Sequence, residues 1–311
     1  MRHITTSRRH IVAAVTTVLG LAMMSAPAAT AAPAPVTPVT WHDFNGNGMP
    51  DIILDSYPHS AVLRIDTTYD PATSTVTSAS SEPTNLDYDT LSRSYNVATG
   101  NLGGSAVGDF VSRDCQGVLH LRKGRGDGTF TAPLRVGTGW KTYGHLVGGS
   151  DITGDGKPDL LGVARSTGEL WLHTGTGKDT APFLTTRKNL GKGWGVYHSI
   201  AGVGNIAGAP AGDVVALDAN GTAWLHLGKG DGTFAPRTRI SAGWAYNINF
   251  FGIGDINRDG RPDIASKSLW DTRVTVKVHL GTGDWRAPFQ NTSQDLGVWG
   301  SDATPYTPRP F

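Results

Sequence analysis

Cysteine is almost absent from this chain: Cys115 is the only one in 311 residues. An intrachain disulfide is therefore excluded, and stability must come from packing or from bound metal. Cys115 sits just before the turn residues Gln116-Gly117 and reads as a surface residue, not a nucleophile. Charge is sparse as well, at 17% of residues, with 27 Lys plus Arg against 26 Asp plus Glu. Such a balance gives no basic surface for nucleic acid or acidic membranes. No segment carries a 3.6-residue apolar period, so helices are not expected. The catalytic patterns G-x-S-x-G and H-E-x-x-H and a P-loop are missing, and Gly175-Thr176-Gly177-Lys178 has the wrong spacing for a phosphate cradle.

Only residues 11–24 form a long apolar run, and they are too short to span a bilayer comfortably. Arg2, Arg8 and Arg9 precede the run, and Ala29-Thr30-Ala31 follows it. This order predicts a signal peptide over 1–31 and an extracellular protein, free or attached to the cell wall. The Arg8-Arg9 pair leaves Sec and twin-arginine export both open. Without that segment, 24 basic residues face 26 acidic ones.

Glycine is abundant at 41 residues, and there are nine tryptophans. Both fall into a repeat. The segments from Asp109 to Phe130 and from Asp213 to Phe234 align without a gap, 104 residues apart, and both end in Gly-Asp-Gly-Thr-Phe. Gly139-Trp140, Gly193-Trp194 and Gly243-Trp244 each precede an acidic loop, and Trp299 begins a fourth copy. Loop starts at Asp43, Asn101, Asp151, Asn205 and Asp255 give steps of 58, 50, 54 and 50 residues. Within residues 143–190, four strand-like runs are bounded by Gly, Pro and Asp: YGHLVGGS, DLLGVARS, ELWLHTGTG and FLTTRKNL. Four strands per fifty-residue unit predict an all-β propeller of about five four-stranded blades over residues 32–311. The units start near 36, 93, 143, 197 and 247. The Ser- and Thr-rich stretch 67–92 is expected to form long exposed loops, and 36–41 or 306–311 to close the ring.

Three acidic loops are complete and read D-x-[NDT]-x-[ND]-G-x-P-D. Their candidate metal ligands are Asp43, Asn45, Asn47, Met49 and Asp51; Asp151, Thr153, Asp155, Lys157 and Asp159; and Asp255, Asn257, Asp259, Arg261 and Asp263. Calcium takes six to eight oxygens in a flexible shell. Side-chain oxygens at loop positions 1, 3 and 5 converge on an ion, glycine at position 6 allows the sharp turn, a backbone carbonyl serves at position 7, and the position-9 Asp closes the shell. Thr153 is the weakest donor of the set. An EF-hand would need Glu at position 12, where Leu54, Gly162 and Ser266 stand. The loops beginning at Asn101 and Asn205 keep only their ends and are expected to turn without metal. Complete and degenerate loops alternate, which points to duplication of a two-blade unit. About three structural calcium ions are expected.

On these loops, the Gly-Trp pairs and the Leu-Trp-Leu-His and Trp-Leu-His-Leu strands, the chain resembles the FG-GAP or VCBS repeat family from about residue 41 to 299. The resemblance implies a propeller with calcium between the first two strands of a blade. It is also similar to the accessory repeat arrays of secreted actinobacterial hydrolases. Five units stand here where the related integrin alpha-subunit ring has seven, and no attached catalytic domain is expected from the residues read.

The sequence reads as a binding or adhesion module for an extracellular glycan, cell-wall polymer or protein more than as an enzyme. The alternative is a hydrolase or lyase with a site on the central face, to which His42, His59, His145 and His198 are candidates. The recurring Trp140, Trp194 and Trp244 either stack on sugars or pack between blades. His173, His226 and His279 read as structural. No nucleic-acid partner or membrane span is expected, and the oligomeric state is open.

Overall fold

The computed structural model describes residues 42–56, 61–83, 85–86, 94–105, 107–245, 247–270 and 273–299. The predicted signal peptide, both candidate closing segments (36–41 and 306–311) and His59 lie outside the described residues. All described residues belong to one unit, Pro38–Phe311.

Five antiparallel sheets build it. The first holds β1 (Asp51–Ser56), β2 (Ala61–Asp70) and β3 (Thr75–Pro83). The second holds β4 (Tyr95–Gly100), β5 (Asp109–Arg113), β6 (Leu119–Arg122) and β7 (Leu134–Gly137). The third holds β8 (Tyr143–Ser150), β9 (Asp159–Ala164), β10 (Leu170–His173) and β11 (Lys188–Asn189). The fourth holds β12 (Tyr197–Gly204), β13 (Asp213–Asp218), β14 (Ala223–His226) and β15 (Thr238–Ser241). The fifth holds β16 (Ile248–Gly254), β17 (Asp263–Trp270), β18 (Arg273–His279) and β19 (Gln294–Trp299). Strands pair in chain order within every sheet, and the all-β propeller is the fold.

Each blade is covered on both faces, so its second strand is buried along its length: every residue of β9 is buried, apolar after the leading Asp159. Third strands alternate instead, as in β10, where Leu170 and Leu172 point inward and Trp171 is half-buried. Five apolar cores result, one between each pair of neighbours. Phe44 and Ile53 meet Phe110 and Phe130; Val111 and Leu121 meet Tyr143 and Leu146; Leu161 and Leu172 meet Val214 and Ala216; Val215 and Leu225 meet Phe250 and Ile264. In the fifth core, Ala265 and Val276 of the last blade pack on Ile52 and Ile65 of the first. The ring therefore closes within one chain. At its rim, Gln294 Nε2 donates to Ser74 O at 2.9 Å and Ser78 Oγ to Leu296 O at 2.5 Å.

The first blade corrects one expectation. Residues 61–83 form the long hairpin β2–β3, not exposed loops. Thr and Ser there alternate across the pleat, with Thr68 and Thr77 paired at 2.7 Å, and β-branched threonine favours strands. Asp70 closes the turn by accepting from Ala72 N and Thr73 Oγ1.

Innermost strands approach one another closely at glycine. A Cβ on Gly148 would lie 2.4 Å from Ala98 O, on Gly202 2.3 Å from Gly148 O, and on Gly252 1.9 Å from Gly202 O. These positions are equivalent in successive blades. Gly252→Ala is expected to force β12 and β16 apart, destabilising by about 3 kcal/mol and lowering Tm by roughly 6–12 °C. Calorimetry checks this; an unchanged Tm would mean that the two backbones do not touch.

Candidate functional site

Loop position 9 plays the same part in the second to fifth blades, and its turn contacts recur in the first. Asp159 Oδ2 accepts from Ile152 N and Thr153 N, both at 2.9 Å, while Oδ1 accepts from Gly175 N at 2.8 Å. Asp263 accepts from Ile256 N and Gly281 N. Asp109 and Asp213 do likewise in the degenerate loops, accepting from Gly103 and Gly124 and from Ile206, Ala207 and Gly228. Asp51 accepts from Phe44 N and Asn45 N. Burial pushes these carboxyls up, Asp159 and Asp213 to about 6 and Asp263 to about 7, and the backbone donors pull against it. Position 9 thus holds the turn whether or not the other oxygens are present.

Positions 1 and 5 are arranged alike in the three complete loops. Asp43 accepts from Gly46 N and Gly48 N, Asp151 from Gly154 N and Gly156 N, and Asp255 from Asp259 N and Gly260 N. Asn47, Asp155 and Asp259 each cap the N–H of position 7, at 2.7, 3.0 and 2.9 Å. The position-7 side chains add their own charge: Lys157 Nζ lies 3.0 Å from Asp155, and Arg261 Nη1 3.6 Å from Asp259. The donors are all hard oxygens, with positions 4 to 6 at the surface or close to it, a donor set that suits calcium. Among the described residues, no group of three His, Cys, Asp or Glu side chains is gathered as a metal cluster.

The Gly-Trp pairs are anchors between blades. Gly139 and Gly193 adopt φ of 86° and 96°, starting short 3₁₀ turns. The N–H groups of Trp140, Trp194 and Trp244 donate to Gly117, Gly168 and Gly221, the hairpin turns of the preceding blades. Trp140 and Trp194 are buried and pack on His173 and His226, with ring centroids 4.5 and 4.3 Å apart. Packing between blades, not sugar stacking, is their role. The side chain of Trp299 lies outside the described residues.

Each histidine ends a polar chain. Arg187 Nη1 donates to Tyr143 Oη at 2.5 Å, and Tyr143 Oη lies 2.9 Å from His173 Nε2. Arg237, Tyr197 and His226 repeat this at 2.7 and 3.1 Å. The arginine can only donate, so the tyrosine oxygen accepts from it, which leaves the hydroxyl hydrogen available to Nε2. Burial, with the nearby arginine second, lowers both histidines to about 4.

First strands surround a central cavity of 730 Å³. Three of the candidate histidines, His42, His145 and His198, line it. With them stand Tyr95, Asn96, Arg113, Arg165, Asn247, Asn249, Phe250 and Lys267. His42 is buried and pushed down to about 4 by desolvation, so it is neutral near pH 7. The arginines, lysine and asparagines were not singled out from sequence. One signal was available: four residues after position 9, the second strand carries Val163 and Leu217 in two blades but Arg113 and Lys267 in two others.

Folded His173 and His226 bind protons near pH 4 and unfolded histidine near 6.5, so the unfolded chain takes up protons first as pH falls. Their contribution is complete above pH 6.5 and is lost through the window down to 4, on the order of 3 kcal/mol each. A double variant, His173→Gln with His226→Gln, should flatten the fall in Tm between pH 6.5 and 4 relative to the parent. An equally steep fall in the variant would mean that other groups carry the acid sensitivity.

Residues 211–266 match the FG-GAP-like repeat model. No curated protein matches the sequence. Among solved structures, the chain is similar to an Agrocybe aegerita lectin that recognises non-reducing terminal N-acetylglucosamine, at 21% identity and a TM-score of 0.45, covering 82% of this chain and 64% of that one. It is similar to AofleA from Arthrobotrys oligospora at 11% identity and a TM-score of 0.40, covering 82% and 69%. Similarity to a variant of the NanB sialidase from Streptococcus pneumoniae is at 9% identity and a TM-score of 0.35, covering 80% and 42%. This chain thus spans less than two thirds of the lectin and less than half of the sialidase. The matched segment carries one acidic loop with its flanking strands, and the same loop-and-strand unit recurs around the ring, so the chain is a five-bladed β-propeller whose repeating unit is similar to the FG-GAP-like repeat.

Proposed function

We propose that this protein is an extracellular, calcium-stabilised propeller that binds a glycan in its central cavity. The observation that carries the reading is the cavity itself. Its 730 Å³ falls within the range of ordinary small-ligand sites. Its walls combine the amides of Asn96, Asn247 and Asn249 with the aromatic side chains of Tyr95, Phe250 and Phe251. Amides both donate and accept, as sugar hydroxyls require, and aromatic rings cover the apolar face of a sugar.

Calcium would be held by oxygens of Asp43, Asn45, Asn47 and Met49, of Asp151, Thr153, Asp155 and Lys157, and of Asp255, Asn257, Asp259 and Arg261. The position-9 carboxylates Asp51, Asp159 and Asp263 stand behind them. When bound, the ion supplies positive charge to a turn whose carboxylates otherwise rely on backbone N–H groups and on Lys157 or Arg261. Binding to the folded state alone raises stability by mass action.

Titrating calcium into chelator-treated protein should raise Tm and load about three ions per chain. Asp155→Ala should lower Tm more in calcium than in chelator, where only its bonds to Lys157 are lost. Asp213→Ala strands three N–H groups and should cost about 3 kcal/mol with or without calcium. A Tm indifferent to calcium would remove the ion from the account.

For the glycan, a panel of bacterial and plant oligosaccharides should give at least one ligand that Asn249→Trp, at an exposed cavity position, excludes without changing Tm. Binding unaffected by that block would move the site elsewhere. One observation favours a second reading, in which the cavity is catalytic as a hydrolase or lyase: three candidate histidines converge on it. Mass spectrometry of the ligand after long incubation separates the two, since a binding module returns it unchanged.

A further inference from the structure

On the reading of the acidic loops as calcium sites, basic side chains of the loops themselves bear on how tightly the ion is held. In each complete loop, one such side chain lies against position 5. In the third blade, Asp155 Oδ1 accepts from Lys157 N at 3.0 Å, and its Oδ2 pairs with Lys157 Nζ, also at 3.0 Å. Both carboxylate oxygens are thus engaged by one residue. In the fifth blade, Asp259 Oδ1 accepts from Arg261 N at 2.9 Å, and Arg261 Nη1 lies 3.6 Å from Oδ2.

The first loop has Met49 at position 7 and no basic residue from Asp43 to Asp51. Its cation comes from the neighbouring blade. Arg258 Nη2, of the fifth loop, donates to Asn47 O at 3.4 Å, so it too meets position 5. Gly48 leaves room for it, since a Cβ there would lie 3.1 Å from Nη2. Arg258 stands at loop position 4, where the other loops have Gly46, Gly104, Gly154 and Gly208. Those glycines have φ between 71° and 89°, and Arg258 is held at 59°. A Cβ is disfavoured in that left-handed region, so local backbone preference does not account for an arginine here. Complete and degenerate loops alternate through five blades, an odd number. Two complete loops are therefore neighbours only across the closure between the last blade and the first, and Arg258 spans that closure.

These side chains are exposed, Lys157 at 43% and Arg261 at 51%, and exposed pairs add little to the stability of a turn. Their effect on an incoming divalent ion is larger. The ion must displace Lys157 or Arg261 to use the second oxygen of position 5, and its two charges repel a cation held beside it. We infer that Lys157, Arg261 and Arg258 are tethered competitors of calcium. Each holds down the affinity of one loop, and the first loop receives its competitor only when the ring is closed.

The test is calorimetric titration of calcium into the chelator-treated full chain and into Lys157→Met, Arg261→Met and Arg258→Gln. Every proposed ligand oxygen stays in place, because Lys157 and Arg261 would serve through their backbone carbonyls. Methionine is also what the first loop already carries at position 7. Each variant should tighten one site roughly three- to tenfold, and the gain should shrink as salt is added. Lys157→Arg and Arg258→Lys keep the charge and should bind as the parent does, which a role in shape alone does not predict. Tm in chelator reports folding, and Arg258→Gly, the residue of the other loops, replaces Arg258→Gln should that variant unfold. A variant with parental or weaker affinity removes its loop from the inference, and all three doing so overturns it while leaving the calcium reading intact. No calcium uptake by the parent or any variant overturns both.

Discussion

In the second to fifth blades, a buried carboxylate at the start of the second strand ties three strands together. Asp159 reaches back to the N–H groups of its own turn and sideways to Gly175, just past the third strand. Asp109, Asp213 and Asp263 make the same reach to Gly124, Gly228 and Gly281. Burial disfavours the charged form, and the backbone donors offset part of that cost. Glycine on the receiving side is required by space: a Cβ on Gly175 would lie 2.0 Å from Pro158 O, and on Gly228 2.3 Å from Gly212 O. Carboxylate and glycine are one device, and the acidic loop's other oxygens are an addition to it. The degenerate loops lost the addition and kept the device.

That division explains what was legible in the sequence. The runs YGHLVGGS and DLLGVA are β8 and β9 because β-favouring residues and a Pro-Asp boundary mark them out locally. The FLTTRKNL run is different: only Lys188 and Asn189 pair with β10, since an outermost strand gains little from burial and its length is set by its neighbour. The β2–β3 hairpin was hidden because Ser and Thr serve turns and strands alike. Roles set by neighbouring blades were harder still. Nothing local says that Trp140 donates to Gly117 or that position 9 faces Gly175. The cavity cations left only the trace of a charge at an apolar register.

Ring size and site are linked through the innermost strands. With five blades these strands crowd the axis, and the equivalent positions Ala98, Gly148, Gly202 and Gly252 carry almost no side chain. Ahead of these positions in the same strands, Asn96, His145 and His198 carry the polar side chains that face the cavity. The narrow neck and the polar cavity are thus two halves of one strand register, and a change at the glycines would reach the cavity through the strands that bear both.

On the proposed reading, calcium and glycan lie toward opposite ends of those strands, except in the first blade, where His42 lines the cavity beside Asp43. The lining is drawn largely from strand beginnings such as Tyr95 and His145, while the complete acidic turns follow strand ends such as Ser150 and Gly254. Calcium held by Asp151 therefore does not supply a ligand to a sugar beside His145. Its effect on binding passes through the blade, by holding the turn that positions the second strand and, in the fifth blade, the strand that carries Lys267. Loss of calcium should then weaken glycan binding only as far as it loosens the blades, and a chain stabilised by other means should bind without the ion.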